Sequence, residues 1–311
     1  MSSEARELPR PALTTRNAEP PTIGTALLFP GQGVPPETVA ETLSARTTDP
    51  LAVRLARHVG GTDWHGHDYT DPRVLQPTLF VASLLRARHA DPGPAAVVLG
   101  HSMGELAAMT YAGALSDEDA LEVVVRRAHL CHEQNARRPG AMVVLIGADP
   151  ARAEWLRRCA VARTGGVLEI AAWNNARQVT LAGDPDSITD VTARADKDGL
   201  AVVPLAISGA YHSPLMAEAA DRFAAYLADV PLRPPEVEVM STILCRTVST
   251  PAELRSVLVM GLVAPVRWME SLTAAHDRGI TRGYDVGPGT ILAKLSRRHG
   301  PTRVHPLKGV S

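Results

Sequence analysis

Cysteine, aromatic side chains, net charge and long apolar runs are all scarce in this sequence. Its 3 cysteines, Cys131, Cys159 and Cys245, are widely spaced and odd in number. That excludes a disulfide framework and any paired-cysteine metal or redox motif. They read as buried free thiols of a reducing compartment. Aromatics make up 4% of the chain against 45% hydrophobic residues, so aliphatic side chains and alanine must fill the core. The formal net charge is −1, which leaves no global electrostatic case for nucleic acid or a membrane surface as partner. No apolar run approaches the ~20 residues needed to cross a bilayer. Met1 to Pro21 is polar and proline-rich, without the apolar core of a signal peptide. It reads as a disordered leader, and the chain as a cytoplasmic protein. Its 311 residues suit one large domain carrying an insertion.

What is present is a strand, a sharp turn and a helix around one serine. Val97, Val98 and Leu99 run into Gly100-His101-Ser102-Met103-Gly104, and the alanine-rich stretch Leu106 to Ala112 follows. Gly-x-Ser-x-Gly at such a junction is the pattern of a nucleophile elbow, which lifts the serine hydroxyl out of a sheet and aims the next backbone N–H at whatever it attacks. Glycine is needed two positions either side because the backbones approach too closely for side chains.

The apolar run Thr22 to Phe29 predicts a strand buried on both faces, as in a parallel sheet. Helices are predicted over 37–45, 51–58, 117–135, 217–228, 251–263, 265–276 and 290–298, and a further one within 72–89 after Pro77. Between them, residues 140–205 read as strand, helix, strand, strand, helix, strand, the order of a ferredoxin-like unit. The fold class is therefore α/β. A large hydrolase-like catalytic part with a mostly parallel sheet spans 22–138 and 207–311, and a small ferredoxin-like subdomain spans 139–206.

A serine hydroxyl needs a base within hydrogen-bond reach, and histidine is the usual one. Of 11 histidines, His101 adjoins Ser102, but neighbours around a tight turn point apart. His129 and His132 fall on a helix. His212 follows Gly209-Ala210-Tyr211 and precedes Ser213-Pro214, on a loop between regular elements where reactive groups tend to sit. What would orient it stays open: Asp285 is the obvious acid, and a backbone carbonyl would serve equally well.

Four stretches occur in order: Phe29-Pro30-Gly31-Gln32-Gly33, Gly100 to Glu105, Gly209 to Met216, and Gly287-Pro288-Gly289. Together they resemble the malonyl-CoA:acyl-carrier-protein transacylase family and the related acyltransferase domains of polyketide synthases. The resemblance runs from Thr22 to the last helix and takes in Gln76-Pro77 and Pro265-Val266-Arg267-Trp268. It implies an acyltransferase working by a ping-pong Ser-His mechanism in fatty acid or polyketide biosynthesis. Ser102 would carry the acyl group as an ester and His212 would be the base. A main-chain carbonyl near Gly261 would hold the histidine. Gln32 and Met103 would supply the oxyanion hole through their N–H groups, donors worth about 2.7–4 kcal/mol each in a transition state. Arg127 would grip a malonyl carboxylate, with Tyr211, Asn174 and Gln76 also lining the substrate. The donor would be a coenzyme A or phosphopantetheine thioester, with no bound cofactor or metal. The partner would be an acyl carrier protein, met by a basic rim of Arg297 and Arg298 with Arg152, Arg157 and Arg158 on the other side.

Departures from the family pattern bear on the acyl group. Val34-Pro35-Pro36 replaces Ser-Gln after Gly-Gln-Gly. Asn174 matches a family asparagine and Ala172 does not, while Trp173 is larger than the usual neighbour. Gly-Ala-Tyr-His212 is closer to the malonyl type than to the branched-extender type. The expectation is a stand-alone malonyl transferase. Transfer of an aminoacyl or peptidyl group between two carrier proteins, an acyl-thioester hydrolase, and a non-catalytic docking module remain as alternatives.

Overall fold

A computed structural model describes residues 24–90, 92–297 and 300–307. The leader expected over 1–21, Thr22, Ile23 and Arg298 lie outside the described residues. The chain begins β1 (Gly24–Phe29), α1 (Pro36–Ser44), α2 (Pro50–Val59), α3 (Pro72–His89), β2 (Val97–Gly100), α4 (Gly104–Tyr111) and α5 (Asp117–Arg137). A block of β3 (Ala141–Ile146), α6 (Pro150–Thr164), β4 (Leu168–Asn175), β5 (Gln178–Gly183), α7 (Pro185–Lys197) and β6 (Ala201–Pro204) follows. A short 3-10 turn at Pro214–Met216 leads into α8 (Ala217–Leu227), β7 (Glu238–Ser241), β8 (Arg246–Val248) and α9 (Pro251–Val263). The chain closes with α10 (Trp268–Asp277), β9 (Ile280–Asp285), α11 (Ile291–Ser296) and β10 (Arg303–Pro306).

Proline and a capping side chain start several of these helices. Asp49, Asp71 and Asp149 accept a backbone N–H at the heads of α2, α3 and α6, each followed directly by proline. Thr250 and Glu253 form a capping box at the head of α9. Each cap is worth about 1 kcal/mol, and proline suits the first helical position because its missing N–H would be unpaired there anyway.

The fold is mixed α/β. Six strands form a sheet in the order β10-β9-β1-β2-β7-β8, parallel except where β8 runs against β7. Ala26 to Phe29 are wholly buried, as a central parallel strand with helices on both faces requires. A second, antiparallel sheet has the order β4-β5-β3-β6. On one face Val143, Leu145, Leu168, Val179 and Leu181 form a separate core with α6 and α7. The alternate residues Met142, Val144, Ile146, Gln178, Thr180 and Val203 line a cleft against the large sheet. The small sheet is tied to the segment between α9 and α10 by a parallel bridge between Ala172 of β4 and Val266. Trp173 N–H donates to Val266 O at 2.8 Å, and Val266 N–H to Ala171 O at 2.9 Å.

Several elements differ from the sequence reading. α3 is helical from Pro72, straight through Pro77. Its burial along most of its length outweighs the hydrogen bond that Pro77 cannot make. α10 starts at Trp268, not Pro265, because Val266 is taken up by the bridge and Arg267 N–H by Thr242 O. β8 and β10 are additional strands of three and four residues. Cys131 is buried, but Cys159 and Cys245 are only partly so. No helix among the described residues is long and apolar enough to cross a membrane.

Candidate active site

Ser102 sits between β2 and α4 with φ of 55°. A Cβ on Gly100 would lie 2.0 Å from Glu105 N, and one on Gly104 would lie 2.1 Å from Phe29 O, so the turn closes only with glycine at both positions. Glu105 pins the turn from below. Its buried carboxylate accepts from Thr242 N–H, from Thr242 Oγ1 at 2.9 Å and from Ser241 Oγ at 3.1 Å. Burial outweighs these bonds and raises the carboxyl to about 7.

His212 arrives from the loop before α8, also with a positive φ, 61°. Its N–H donates to Leu262 O at 2.8 Å. Its Nδ1 lies 2.8 Å from Ala264 O, and its Nε2 lies 2.7 Å from Ser102 Oγ. A carbonyl can only accept, so Nδ1 carries the proton and Nε2 presents a lone pair to the serine hydroxyl. Burial, first, and the Arg127 charge push the imidazole down to about 3, against the Ala264 hydrogen bond. It is neutral at physiological pH, the state a base requires.

One expectation is corrected here, and the choice left open between an acid and a backbone carbonyl falls to the carbonyl. The carbonyl on His212 belongs to Ala264, not Gly261. Gly261 lies inside α9, whereas Ala264 has left the helix with an extended ψ of 149° that turns its carbonyl aside. Asp285 is no triad acid. Its Oδ2 accepts from Leu292 N–H at 2.8 Å and Ala293 N–H at 3.1 Å, tying the end of β9 to α11. His101 is likewise committed elsewhere, with Nε2 3.0 Å from Asn174 Oδ1.

On the α5 side of Ser102 lies a buried polar chain. Arg127 is 4% exposed and donates through Nη1 to Gln76 Oε1 at 2.6 Å. Gln76 Nε2 donates to Tyr211 OH at 3.3 Å, and the Arg127 guanidinium lies 5.9 Å from the Tyr211 ring centre. No carboxylate among the described residues pairs with Arg127. A buried cation without its own counter-charge is a strong attractor for an acidic group. Cys131, one turn along α5, is buried beside the same groups, and burial raises its thiol.

On the other side a cleft of about 240 Å³ opens over Ser102, His212, His101 and Gln32. The small sheet gives it an apolar wall of Met142, Val144, Ile146, Val203 and Leu205. The N–H groups of Gln32 and Met103 have no acceptor among the described residues. Asn174 lines the cleft, but it is held by His101 and by Thr180, to whose Oγ1 its Nδ2 donates at 3.0 Å. The expected second rim is corrected as well. Arg152 pairs with Asp198, and Arg157 and Arg158 pair with Glu154. All three sit on α6, which packs on the sheet face turned away from the cleft. Arg297 is exposed just beyond the cleft-lining helix α11.

The sequence reading gave Glu105, Ala264 and Thr180 no role. Only Ala264 had a local signal. It precedes Pro265, and a helix ending before proline leaves carbonyls without N–H partners.

The acyl transferase domain family matches the chain over residues 70–301. The chain is 33% identical over 290 residues to the polyketide biosynthesis protein ThaF of Burkholderia thailandensis, covering 89% of this chain but 24% of that relative. It is 28% identical over 291 residues to the malonyl CoA-acyl carrier protein transacylase of Haemophilus influenzae, covering 88% of this chain and 91% of the relative. Among solved structures, FabD from Acinetobacter baumannii superposes with a TM-score of 0.82 at 27% identity, covering 93% of this chain and 95% of that one.

Proposed function

The chain belongs to the acyl transferase domain family, and from that premise we propose that it moves a malonyl group through a Ser102 ester onto the phosphopantetheine thiol of an acyl carrier protein. His212 Nε2 takes the Ser102 proton as Oγ attacks the thioester carbonyl. The C–S bond then breaks and the departing thiolate takes that proton back. In the second half the incoming thiol gives its proton to His212 and attacks the ester, and Ser102 recovers it. The free N–H groups of Gln32 and Met103 support an oxyanion hole at the carbonyl oxygen. Arg127, held by Gln76 and Tyr211, receives the free carboxylate. No bound cofactor enters these steps; the donor is a coenzyme A or carrier-bound thioester. The βαββαβ order of the small sheet supports describing it as a ferredoxin-like insertion in a hydrolase-like domain.

The observation that carries this reading is the Ser102–His212 contact of 2.7 Å beside a buried arginine that lacks an acid. Intact-protein mass spectrometry after mixing with malonyl-CoA tests it. A malonyl mass on the wild type, absent from Ser102→Ala and passed to a holo carrier protein, is the expected result. No adduct on folded protein overturns it.

The apolar cleft wall favours a second reading, in which a non-malonyl acyl group moves between two carrier proteins. Loading from a panel of acyl carriers, with malonyl-CoA inert, would select it.

A further inference from the structure

We propose that Thr242 is a positioning residue for both reacting side chains: one buried threonine holds the turn that carries Ser102 and the segment that orients His212 in a single frame. This rests on the Ser102-ester reading above, and it concerns the nucleophile and its base, not the acyl group.

Thr242 directly follows β7, whose neighbour in the sheet is β2. It is wholly buried and does not line the cleft, so it is out of reach of substrate. Valine has the same branched shape and would bury no hydroxyl, which costs free energy unless it is bonded. This hydroxyl is bonded. Its one hydrogen lies between Gly100 O at 2.7 Å and Glu105 Oε1 at 2.9 Å. Thr242 N–H donates to Glu105 Oε1 as well. Gly100 stands two residues before Ser102 and Glu105 three after it, so Thr242 grips both flanks of the turn.

Its remaining polar group reaches towards the base. Thr242 O accepts from Arg267 N–H at 2.7 Å. Arg267 ends the stretch from Ala264 that joins α9 to α10, and Ala264 O is the partner of His212 Nδ1. Ser102 and His212 therefore meet twice, directly at 2.7 Å and through Thr242. Without the hydroxyl, Gly100 O is released and the turn can shift, while the histidine segment stays tied to the small sheet at Val266. A misplacement of 1 Å can cost about 10²-fold in rate, and one of this kind leaves substrate binding alone.

The test is single-turnover Ser102 acylation by malonyl-CoA, alongside the rate at which a fluorophosphonate labels Ser102. Thr242→Val should lower the saturating acylation rate and the labelling rate at least tenfold, with the half-saturating malonyl-CoA concentration within threefold of wild type. Thr242→Ser keeps the hydroxyl and should restore both rates to within threefold. Thr302→Val is the control. Thr302 is equally buried and its hydroxyl donates to Ile280 O at 2.8 Å, at the start of β9 and the far end of the sheet from Ser102. That variant should lose melting temperature as Thr242→Val does and keep both rates within twofold. A smaller loss in Thr242→Val, an equal loss in Thr242→Ser or an equal loss in Thr302→Val overturns the proposal. Should Thr242→Val not fold, Thr242→Cys carries the test: a thiol is a weak donor, so both rates should fall at least threefold, and a smaller fall overturns the proposal. A wild type that is labelled at Ser102 yet takes no malonyl overturns the malonyl reading itself, and the labelling rates then decide the role of Thr242.

Discussion

Ser102 and His212 share a backbone conformation that few residues with side chains adopt: both are left-handed, with φ of 55° and 61°. Among the described residues only Cys245 joins them outside glycine. Such a conformation costs about 1–3 kcal/mol per residue and persists only where the surroundings over-determine it. Here the close approach at Gly100 and Gly104 holds the first residue, and the carbonyls of Leu262 and Ala264 hold the second. The two reacting atoms are preset by backbone before any substrate arrives.

That preset geometry makes His212→Asn an informative variant. Asparagine tolerates the left-handed backbone but offers no imidazole. Serine acylation should fall about 10²–10⁴-fold, the usual worth of a general base, with an unchanged circular dichroism spectrum. Retention of more than a tenth of the rate would mean that another group takes the Ser102 proton.

Arg127→Ala should act on acyl choice more than on chemistry. A hydrogen bond to a charged group is worth about 1.5–3 kcal/mol, so kcat/KM for malonyl-CoA should drop on the order of 10–100-fold relative to acetyl-CoA. Arg127→Lys should not restore the preference, because an ammonium lacks the planar fork that grips a carboxylate through two parallel N–H groups while a third bonds Gln76. A malonyl-to-acetyl ratio equal to that of wild type would assign Arg127 a packing role alone.

The depressed imidazole predicts the acid limb of the pH profile. His212 is competent when neutral, and burial holds it so down to about pH 3. Single-turnover acylation should therefore stay flat from pH 8 to about pH 4, as long as the chain is folded. The linked stability runs the other way: as pH falls below the free-histidine value of 6.5, the unfolded chain protonates first and folding weakens. An inflection in the rate near pH 6.5 would show an imidazole open to water.

Asp285 carries the opposite signature. Burial raises its carboxyl from 3.8 to about 6, so its contribution to stability is full below 3.8 and lost as pH rises through 6. Asp285→Asn does not titrate, and its side-chain oxygen still accepts from the head of α11. Its melting temperature should gain on that of the wild type between pH 5 and pH 8. A constant difference across that range would show that Asp285 does not change protonation in the folded chain.

Much of the site was legible because it is written in local pattern. Ser102, His212 and Gln32 stand in turns whose glycines and prolines mark them, and the structure brings the first two into contact. The orienting carbonyl was not legible. Gly261, Leu262 and Ala264 lie within four residues of one another, and which one faces the imidazole depends on where the helix lets go. Asp285 shows a related limit: its residue type suits a triad acid or a helix anchor equally, and only the partners its carboxylate takes in the fold decide. Arg152 was assigned to the wrong face, because β3 and β6 are apolar on both sides and alternation gave no sign of which side α6 covers. β8 and β10 were missed because each is a short strand at an end of the large sheet, with little apolar pattern to detect.

The bridge between Ala172 and Val266 reaches beyond the fold. Residues 139–206 look like a cassette that a protein engineer would exchange to alter acyl or carrier choice. Yet half of the seam, Val266, stays behind in such a chimera, two residues from the carbonyl that orients His212. A graft matched only at its two chain junctions would fold and still turn over slowly, its imidazole tilted by a misfitted third attachment that the linear sequence does not mark as a border.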